Sequence, residues 1–497
     1  MPAQVSPTEV HPVPSDVPTG VPTVVPTVVP TVVPTVVPTV VPTVVLSDVL
    51  ATLEAERPRW GVPGLSVAVV QDGSVLYAGG AGLRGVGDPQ AAGARTLFHH
   101  GSCCKAYTAL LAGLLHEDID LDLDAPVRVW VPELDLPDDH QAQTISLRDL
   151  LSHRSGLSRH DLTWILNPGW DGHELVRRLA HLPLVATVGE TWEYSNLGYA
   201  LAGLALGRAG GTDWDDQLHR RVLEPLGMHR TVTTIEAMRA DGDAATGHVT
   251  RAGAPVPTPD RRLTGAAPAG SLMTCADDAA RWLLAQLGDT DALSESAVAL
   301  TQEVAMALPE GLAPFPHLDV TGYALGWMVA TFRGLPMLWH SGGVDGFSTQ
   351  TFLLPTRQLG LTVSANLHAS AFPLAAGLEL VDALAGTADG ESWLGRLRPA
   401  PTPQPDVEQP GDNPPARGLA GIYRNQGYGD LVIADHGQQA RVWLGETELE
   451  SGNMTGNDWE LRIAALDAPY VFTFGDGSVT AVLDPSTGPT TFQRVAS

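Results

Sequence analysis

Lysine is nearly absent from this 497-residue sequence. Of its 29 basic residues, 28 are arginine, and the one lysine is Lys105. Arginine keeps a protein surface soluble as well as lysine does. However, its guanidinium does not lose its proton in a protein, whereas a buried lysine amine does. The single exception therefore predicts proton-transfer chemistry at Lys105. The alternative is that Lys105 is a chance survivor of a strong bias toward arginine.

Positive charge and cysteine are also scarce. The chain carries 56 acidic side chains against 29 basic ones, which gives a net charge of −27. Nucleic acids and anionic membranes bind basic surfaces, so this balance argues against both as main partners. Three cysteines, two of them adjacent at Cys103 and Cys104, cannot form a disulfide framework. The count suits a reducing compartment, or an exported protein that does without disulfides.

The N-terminal segment has low complexity. From Pro22 to Val45 the unit Pro-Thr-Val-Val occurs six times, without a charged residue. The run is long enough to suggest a membrane span, but a proline at every fourth position removes helical hydrogen bonds. We therefore expect no span and an extended tail over residues 1–45. The first residues lack the positive charge of a secretory signal, so we expect a cytoplasmic protein.

Hydrophobic patterning begins at Ser47, a suitable N-cap for a helix through Ala55. Strand patterns on both sides of Asp72-Gly73 predict a β-hairpin over residues 65–77. Strands near both ends with helices between them predict an α+β domain over residues 46–386, with a helical insertion on one side. Further helices are predicted over 103–116, 172–181, 198–208, 213–223, 276–287 and 373–385, and strands over 322–330, 336–340, 349–354 and 359–365.

The C-terminal part is predicted to form a second, smaller domain. Residues 387–415 are rich in proline, glycine and aspartate, which is typical of a linker. Residues 416–497 then alternate short strand patterns with turn residues. The predicted strands are 430–434, 440–444, 459–463, 470–474, 478–482 and 490–494. Many short strands at even spacing indicate a small β-barrel or a sandwich.

The strongest chemical pattern surrounds the lone lysine. Ser102 precedes Lys105 by three residues, and an apolar helical pattern follows. If a helix begins near Ser102, the two side chains lie one turn apart on the same face. A serine hydroxyl needs an adjacent base, and burial at a helix N-terminus lowers the pKa of a lysine amine enough to make it one. The alternative is an ordinary helix-capping serine.

Two further patterns carry polar residues next to apolar elements. Tyr194 and Asn196 precede an apolar helix, where the tyrosine is suited to relay a proton and the asparagine to bind a substrate carbonyl or the lysine. His340, Gly342 and Gly343 follow a strand pattern, and paired glycines allow a substrate backbone to approach closely. We expect the N–H of Gly343 to donate to an oxyanion. Alone, the first pattern is more typical of a partly buried tyrosine with a helix-capping asparagine. The alternative for the second is a strand that ends in a glycine turn with a solvated histidine.

Together these patterns resemble the serine β-lactamase and penicillin-binding-protein superfamily, in particular its class C-like branch of serine hydrolases. That family has S-x-x-K, then Y-x-N, then K-T-G or a variant such as H-x-G. The matching pairs are Ser102 and Lys105, Tyr194 and Asn196, and His340 and Gly342. The resemblance spans roughly residues 46–386. Residues 421–431 are similar to the lipocalin-like barrel that follows some of these hydrolases.

The resemblance implies an antiparallel sheet flanked by helices plus a helical subdomain, followed by a small all-β barrel. It also implies that Ser102 attacks an amide or ester carbonyl, that Lys105 and Tyr194 move the proton, and that the N–H groups of Ser102 and Gly343 hold the oxyanion. Asn196, His340 and Gly342 would contact substrate. Where β-lactamases usually have lysine this chain has His340, which anchors a substrate carboxylate more weakly if it is neutral.

Two functions from different classes remain open at this stage. The first is a serine peptidase acting on a small-molecule or short-peptide substrate, including D-residues, with esterase or β-lactamase activity as the alternative. The second is a non-catalytic binding or scaffold protein on the same fold. We expect Lys105→Arg to abolish activity with little effect on stability, and we expect the barrel to cover the mouth of the site. The sequence leaves homo-oligomerisation open.

No cofactor or metal is expected. His99 and His100 stand beside Ser102 and Cys103, which suggests a metal site. No C-x-x-C or H-x-x-x-H spacing accompanies them, however, and adjacent residues of a strand point to opposite faces. Cys103 and Cys104 are expected to be small packing residues.

Overall fold

The computed structural model describes residues 41–309, 311, 315–399, 418–436, 440–463 and 469–495. Its helices are α1 (Val41–Glu56), α2 (Cys104–Ile119), α3 (Asp139–Thr144), α4 (Leu147–Leu151), α5 (Leu162–Ile165), α6 (Gly172–Arg178), α7 (Asn196–Gly210), α8 (Trp214–Leu218), α9 (Ile235–Asp241), α10 (Ala267–Gly270), α11 (Ala276–Gln286), α12 (Glu295–Gln302), α13 (Phe372–Ala385) and α14 (Trp393–Arg396). In these ranges no helix has both the length and the apolar character needed to cross a membrane.

The strands fall into two main groups. Those before residue 390 are β1 (Gly64–Gln71), β2 (Ser74–Gly82), β3 (Phe98–His99), β4 (His248–Arg251), β5 (Ala254–Pro257), β6 (Met273–Thr274), β7 (Met306–Ala307), β8 (Leu318–Tyr323), β9 (Met328–Phe332), β10 (Leu335–Val344), β11 (Phe347–Leu354) and β12 (Leu359–Ala365). Those after it are β13 (Gly421–Asn425), β14 (Gly429–Asp435), β15 (Ala440–Leu444), β16 (Thr447–Thr455), β17 (Asp458–Arg462), β18 (Pro469–Gly475), β19 (Ser478–Asp484) and β20 (Gly488–Arg494).

Within the described residues, an eight-stranded antiparallel sheet has the order β2-β1-β12-β11-β10-β9-β8-β7. Strands from the two ends of the domain are neighbours, since β1 pairs with β12 and Leu65 lies opposite Ala365. The predicted α+β class is therefore confirmed. The hairpin at Asp72-Gly73 also forms, and both residues have positive φ values, 48° and 71°, as a tight two-residue hairpin turn requires.

The sheet separates two apolar layers. Val67 and Val69 face one layer, with α1 and α13, whereas Ala68 and Val70 face the other, which contains α2 and the helical subdomain. This alternation follows from the two-residue period of a strand. Helix α2 is buried without interruption from Cys104 to Leu115. A helix that is apolar on all sides is a core element, so the residues at its N-terminus rest on a rigid support.

The C-terminal strands β13 to β20 close into a barrel in the described part of the chain. Closure occurs where β13 pairs with β20 and Tyr423 lies opposite Arg494. Of the two predicted alternatives, the barrel is the one that forms. The strand patterns did not predict β13 or β16. The second of these is polar and carries a register shift between Ser451 and Met454, which interrupts the alternation that strand prediction uses.

Two predicted boundaries were wrong. Helix α1 begins at Val41 instead of Ser47, and Ser47 Oγ donates to the carbonyl of Val44 within the helix. The first turn of a helix tolerates proline, because the N–H groups there lack helical partners anyway. The strand predicted over 322–330 is interrupted by the turn between β8 and β9, because Gly326 adopts a φ of +81° that reverses the chain.

The predicted linker begins later than residue 387. Trp393 in α14 is fully buried, and its Nε1 donates to the carboxylate of Asp382 at 2.7 Å. Residues 387–399 therefore belong to the first domain. Residues 400–417 lie outside the described residues, as do residues 1–40, so the rest of the linker and the tail up to residue 40 stay predictions. The extended tail predicted over residues 1–45 is wrong for residues 41–45, which belong to α1.

Candidate active site

Ser102 lies in a 3₁₀ turn, Gly101–Cys103, that leads directly into α2. This turn packs against β10: a Cβ atom on Gly101 would lie 2.7 Å from the backbone nitrogen of Gly343. Gly101 also has a φ of +52°, so only glycine fits this position without strain. His99 Nδ1 accepts the N–H of Gly101 at 3.1 Å. Ser102 is thereby held beside Gly343, where the second oxyanion donor was predicted.

Lys105 lies one turn after Ser102, as predicted, and its Nζ is 3.1 Å from Ser102 Oγ. The side chain is fully buried. Its Nζ also donates to Oδ1 of Asn196 and to the carbonyl oxygen of Ala269, each at 2.7 Å. These partners are neutral, and burial lowers the pKa of Lys105 to about 7. At neutral pH a large share of the molecules therefore holds an unprotonated amine next to Ser102.

Because Lys105 is the only lysine, its titration can be measured directly. Protein grown with lysine labelled with ¹³C at Cε gives a single side-chain signal, whose chemical shift follows the charge on Nζ. We expect a midpoint near pH 7 instead of the ordinary 10.5, and activity that rises with pH through the same midpoint. A Lys105 amine that is still fully charged at pH 9 would contradict its assignment as the base.

Tyr194 and Asn196 stand at the N-terminus of α7. The Tyr194 ring centre is 4.7 Å from Lys105 Nζ, and Tyr194 and Ser102 line the same cavity. Burial raises the pKa of Tyr194 well above its usual value, so its proton is present at neutral pH. The Asn196 amide accepts from Lys105 and donates to Asp161 at 2.8 Å. Of its two predicted roles, the structure shows the lysine contact, and substrate binding stays a prediction.

Two charged residues that the sequence analysis missed complete this cluster. Asp161 accepts from the Asn196 amide through Oδ1 and from Arg159 through Oδ2, the latter at 2.8 and 3.0 Å. Arg159 lies over the Tyr194 ring, 5.1 Å from its centre. Asp161 thus fixes the amide so that its oxygen faces Lys105. Arg159 and Asp161 stand in a short polar run. No sequence pattern connects that run with Asn196, which lies 35 positions after Asp161.

His340 is buried, and both ring nitrogens are paired. Nδ1 donates to the carbonyl of Ser341 at 2.7 Å, and Nε2 accepts from the hydroxyl of Tyr323 at 3.0 Å. Burial, and next the nearby Lys105, lower the pKa of His340 to about 3. His340 is therefore neutral at pH 7, and neither nitrogen is available to a substrate carboxylate without breaking a hydrogen bond.

Gly342 and Gly343 form the part of β10 that faces the turn carrying Ser102. A Cβ on Gly342 would overlap the carbonyl oxygen of His100, so a larger residue would displace the turn. Strand β9 pairs with β10 only as far as Trp339. Beyond that residue, one edge of β10 carries no strand partner among the described residues. This open edge suits the predicted oxyanion role of Gly343, which stays a prediction.

A cavity of about 450 Å³ lies above Ser102. It is lined by Ser102, Arg159, Trp192, Glu193, Tyr194, Met328, Trp339, His340, Ser341 and Gly343. All these residues precede the barrel in the chain. The barrel reaches the rim at Ser486, whose hydroxyl donates to Glu193 at 3.4 Å. That the barrel covers the mouth stays a prediction.

The residues considered for a metal site have structural contacts instead. His99 supports Gly101, and His100 Nε2 lies 3.1 Å from Ser364 Oγ. Burial lowers the pKa of both histidines to about 3. The adjacent Cys103 thiol is buried, and burial raises its pKa to about 12, which suits a packing residue. In the part of the chain that the structure describes, no three acidic, histidine or cysteine side chains are grouped to hold a metal ion.

Comparison with known proteins relates this geometry to a family. The family model described as Beta-lactamase matches residues 51–385. The chain is 30% identical over 322 residues to "Unguisins hydrolase ungD'" of Aspergillus campestris, covering 62% of this chain but only 59% of that protein. It is also 30% identical over 392 residues to "Penicillin-binding protein 4" of Amycolatopsis lactamdurans, covering 75% of this chain and 96% of that protein.

A solved structure shares the fold over nearly the whole chain. The octameric penicillin-binding protein homologue from Pyrococcus abyssi aligns with a TM-score of 0.63 and 21% identity, covering 90% of this chain and all of that one. At 90% of this chain, the shared fold extends beyond residues 51–385, which the family model matches. From the family match, the fold and the geometry at Ser102 and Lys105, we conclude that the chain belongs to the beta-lactamase family and is a serine hydrolase.

Proposed function

We propose that this serine hydrolase forms an acyl-enzyme on Ser102 and cleaves amide bonds in short peptides. The observation that carries the proposal is the 3.1 Å contact between Ser102 Oγ and Lys105 Nζ, with the amine fully buried. A base with a pKa of about 7 combines a large unprotonated fraction with useful basicity at neutral pH. A scaffold protein would have no need of an amine that is costly to bury.

The proposed reaction has two steps that share one set of residues. Lys105 accepts the Ser102 proton while Oγ bonds the substrate carbonyl carbon, and the N–H groups of Ser102 and Gly343 hold the oxyanion. Tyr194 donates a proton to the leaving amine as the C–N bond breaks, and regains one from Lys105. Water then attacks the ester on Ser102, giving up a proton along the same path, and the acid product leaves with Ser102 restored.

The charges at the cavity favour substrates without a free carboxylate next to the scissile bond. His340 is neutral and paired, and the charge of the Arg159 guanidinium is offset by the Asp161 carboxylate, which accepts from its Nε and Nη2. Glu193, also on the wall, would repel a substrate carboxylate. This supports cleavage from the amino end or within a peptide over carboxypeptidase action. The relative named as an unguisins hydrolase supports a hydrolytic role. The one named as a penicillin-binding protein keeps β-lactam binding as the second candidate.

The test is the intact mass of the full-length protein after exposure to a fluorophosphonate probe. Wild type is expected to gain one adduct, which peptide mass spectrometry assigns to Ser102. The matched control, Ser102→Ala, is expected to gain none. If wild type takes up the probe, a separate sample that has not been exposed to it is offered D- and L-amino-acid amides, short peptides, esters and β-lactams. Faster turnover of peptides with blocked carboxyl ends supports the peptidase. No adduct on folded wild type would contradict the acyl-enzyme proposal, and β-lactam turnover above that of all amides would favour the second candidate.

A further inference from the structure

One carboxylate of the barrel is buried against the hydrolase domain. Asp484, at the end of β19, is only 3% exposed. Its Oδ2 accepts from Ser158 Oγ at 2.6 Å and from the N–H of His160 at 2.9 Å. Its Oδ1 accepts from the N–H of Ser486 at 2.9 Å, so both oxygens are used. The barrel therefore binds residues 158–161 through two hydrogen bonds, to Ser158 and His160. We call these four residues the support segment.

The backbone of the support segment is strained at one residue and needs contacts from outside the segment to hold it. His160 has a φ of +41°, a left-handed conformation that is strained for a residue with a side chain. Its ring is held on both sides: Nδ1 accepts from the hydroxyl of Tyr428 in the barrel at 2.8 Å, and Nε2 donates to the carbonyl of Pro183 at 3.0 Å. Strained backbone persists only where its surroundings fix it, and here two barrel residues do so.

The other side of the support segment touches the N-terminus of α7. The carbonyl of Ser158 accepts from Ser195 Oγ at 2.9 Å. Asp161 binds the Asn196 amide that faces Lys105. Arg159 covers the ring of Tyr194. Four consecutive residues thus connect a barrel carboxylate to three consecutive residues of the site.

We propose that the barrel is part of the catalytic unit, and that Asp484 is a positioning residue that holds the support segment against the active site. Without its carboxylate, the N–H of His160 and the hydroxyl of Ser158 lose their partner, and the strained backbone relaxes. Asp161 then no longer fixes the Asn196 amide toward Lys105. The inference rests on the proposed acyl-enzyme function, and it adds a role for the barrel that does not depend on its covering the mouth.

The test compares Asp484→Ala with two control variants of the full-length protein. Glu446→Ala removes another barrel contact, in which the Glu446 carboxylate accepts from the N–H of Gly169 at 3.0 Å. Asp382→Ala removes a buried carboxylate whose partners Arg333, Thr387 and Trp393 all precede the barrel in the chain. Glu446→Ala shows the effect of losing any contact between barrel and hydrolase domain, and Asp382→Ala shows the effect of general destabilisation. A larger effect in Asp484→Ala is then due to displacement of the support segment. Each is measured for Tm, for the rate of fluorophosphonate labelling at Ser102, and for hydrogen exchange at residues 158–161.

We expect Asp484→Ala to lower the labelling rate and kcat about 10- to 100-fold, as a small misplacement of catalytic groups does, and to speed exchange in the support segment. We expect the two control variants to keep the wild-type labelling rate and kcat when all variants are compared at equal folded fraction. Asp484→Asn keeps one acceptor oxygen, so its labelling rate and kcat are expected to lie between those of wild type and Asp484→Ala. If Asp484→Ala does not fold, Ser158→Ala takes its place. It removes one of the two hydrogen bonds between Asp484 and the support segment, and we expect a smaller decrease in labelling rate and kcat.

Three outcomes would overturn the inference. Exchange that speeds up while labelling stays at the wild-type rate would mean that the segment moves without affecting the site. Exchange that stays unchanged would mean that Asp484 does not hold the segment. Equal rate losses in Asp484→Ala and the controls would mean general destabilisation. Failure of the proposed function itself looks different: wild type would take up no probe, whatever the exchange shows at residues 158–161.

Discussion

Replacing Lys105 by arginine is expected to lower kcat/KM by at least about 10³-fold, within the range that general acid–base catalysis contributes. Arginine places a permanent charge where the mechanism requires an amine that gives up its proton. The measurement is kcat/KM on the best amide substrate, together with the rate of fluorophosphonate labelling at Ser102. Turnover by Lys105→Arg at more than a tenth of the wild-type rate would contradict the assignment of Lys105 as the base.

The structure changes one part of the original expectation for this variant. From the sequence, Lys105→Arg was expected to leave stability nearly unchanged. Lys105 is fully buried, with the rings of Tyr194 and Tyr199 within 4.7 and 5.2 Å of its Nζ. A larger guanidinium overfills this space, and such overpacking costs about 1–3 kcal/mol. We therefore expect a lower Tm as well.

Lys105→Met is the control for this loss of stability. Methionine has a similar length, carries no charge and fills irregular apolar space well. We expect it to be as inactive as Lys105→Arg but more stable than that variant at pH 7. Inactivity in both, with normal folding in Lys105→Met, would separate the missing base from the packing defect. Activity in Lys105→Met would exclude a role for the amine.

The sequence predicted those parts of the site that depend on local spacing. Ser102 and Lys105 meet because residues three apart in the first turn of a helix share a face. The lone lysine marked the same position independently of any motif. Tyr194 and Asn196 were found in the same way, since a polar pair before an apolar helix lies at its N-terminus. Their assembly into one site followed only from the family resemblance, because nothing local brings positions 102, 194 and 340 together.

The parts that were missed depend on contacts between distant segments. Asp161 acts on Asn196 from a loop, and Asp484 acts on that loop from the barrel, 324 positions from His160. Aspartate occurs throughout this acidic chain, so neither residue differed in sequence from its many solvated counterparts. The carbonyl of Ala269 carried no signal either, because every residue has a carbonyl. Burial and geometry identify these groups, and both are properties of the tertiary structure.

The second large effect concerns Tyr194. Tyr194→Phe is expected to lower kcat/KM about 10²- to 10³-fold, because the proposed mechanism uses its hydroxyl to pass a proton to the leaving group. Phenylalanine keeps the ring that packs against His153, with ring centres 4.3 Å apart, so the fold is expected to survive. The loss should be greater for amides than for esters, since an amine leaves only when it is protonated, whereas a good alcohol leaving group needs less help.

Tyr199 offers a matched control for this change. Its ring also lies near Lys105 Nζ, at 5.2 Å, but its hydroxyl donates to the carbonyl of Leu151 at 2.7 Å, within the core. Tyr199→Phe therefore removes the same kind of atom from a ring at a similar distance from the base, without touching the proton path. We expect it to cost about 1–3 kcal/mol of stability, because a buried carbonyl loses its donor, and to keep activity within a few-fold of wild type. Equal losses of kcat/KM in the two variants would mean that packing around Lys105, and not the Tyr194 hydroxyl, limits the reaction.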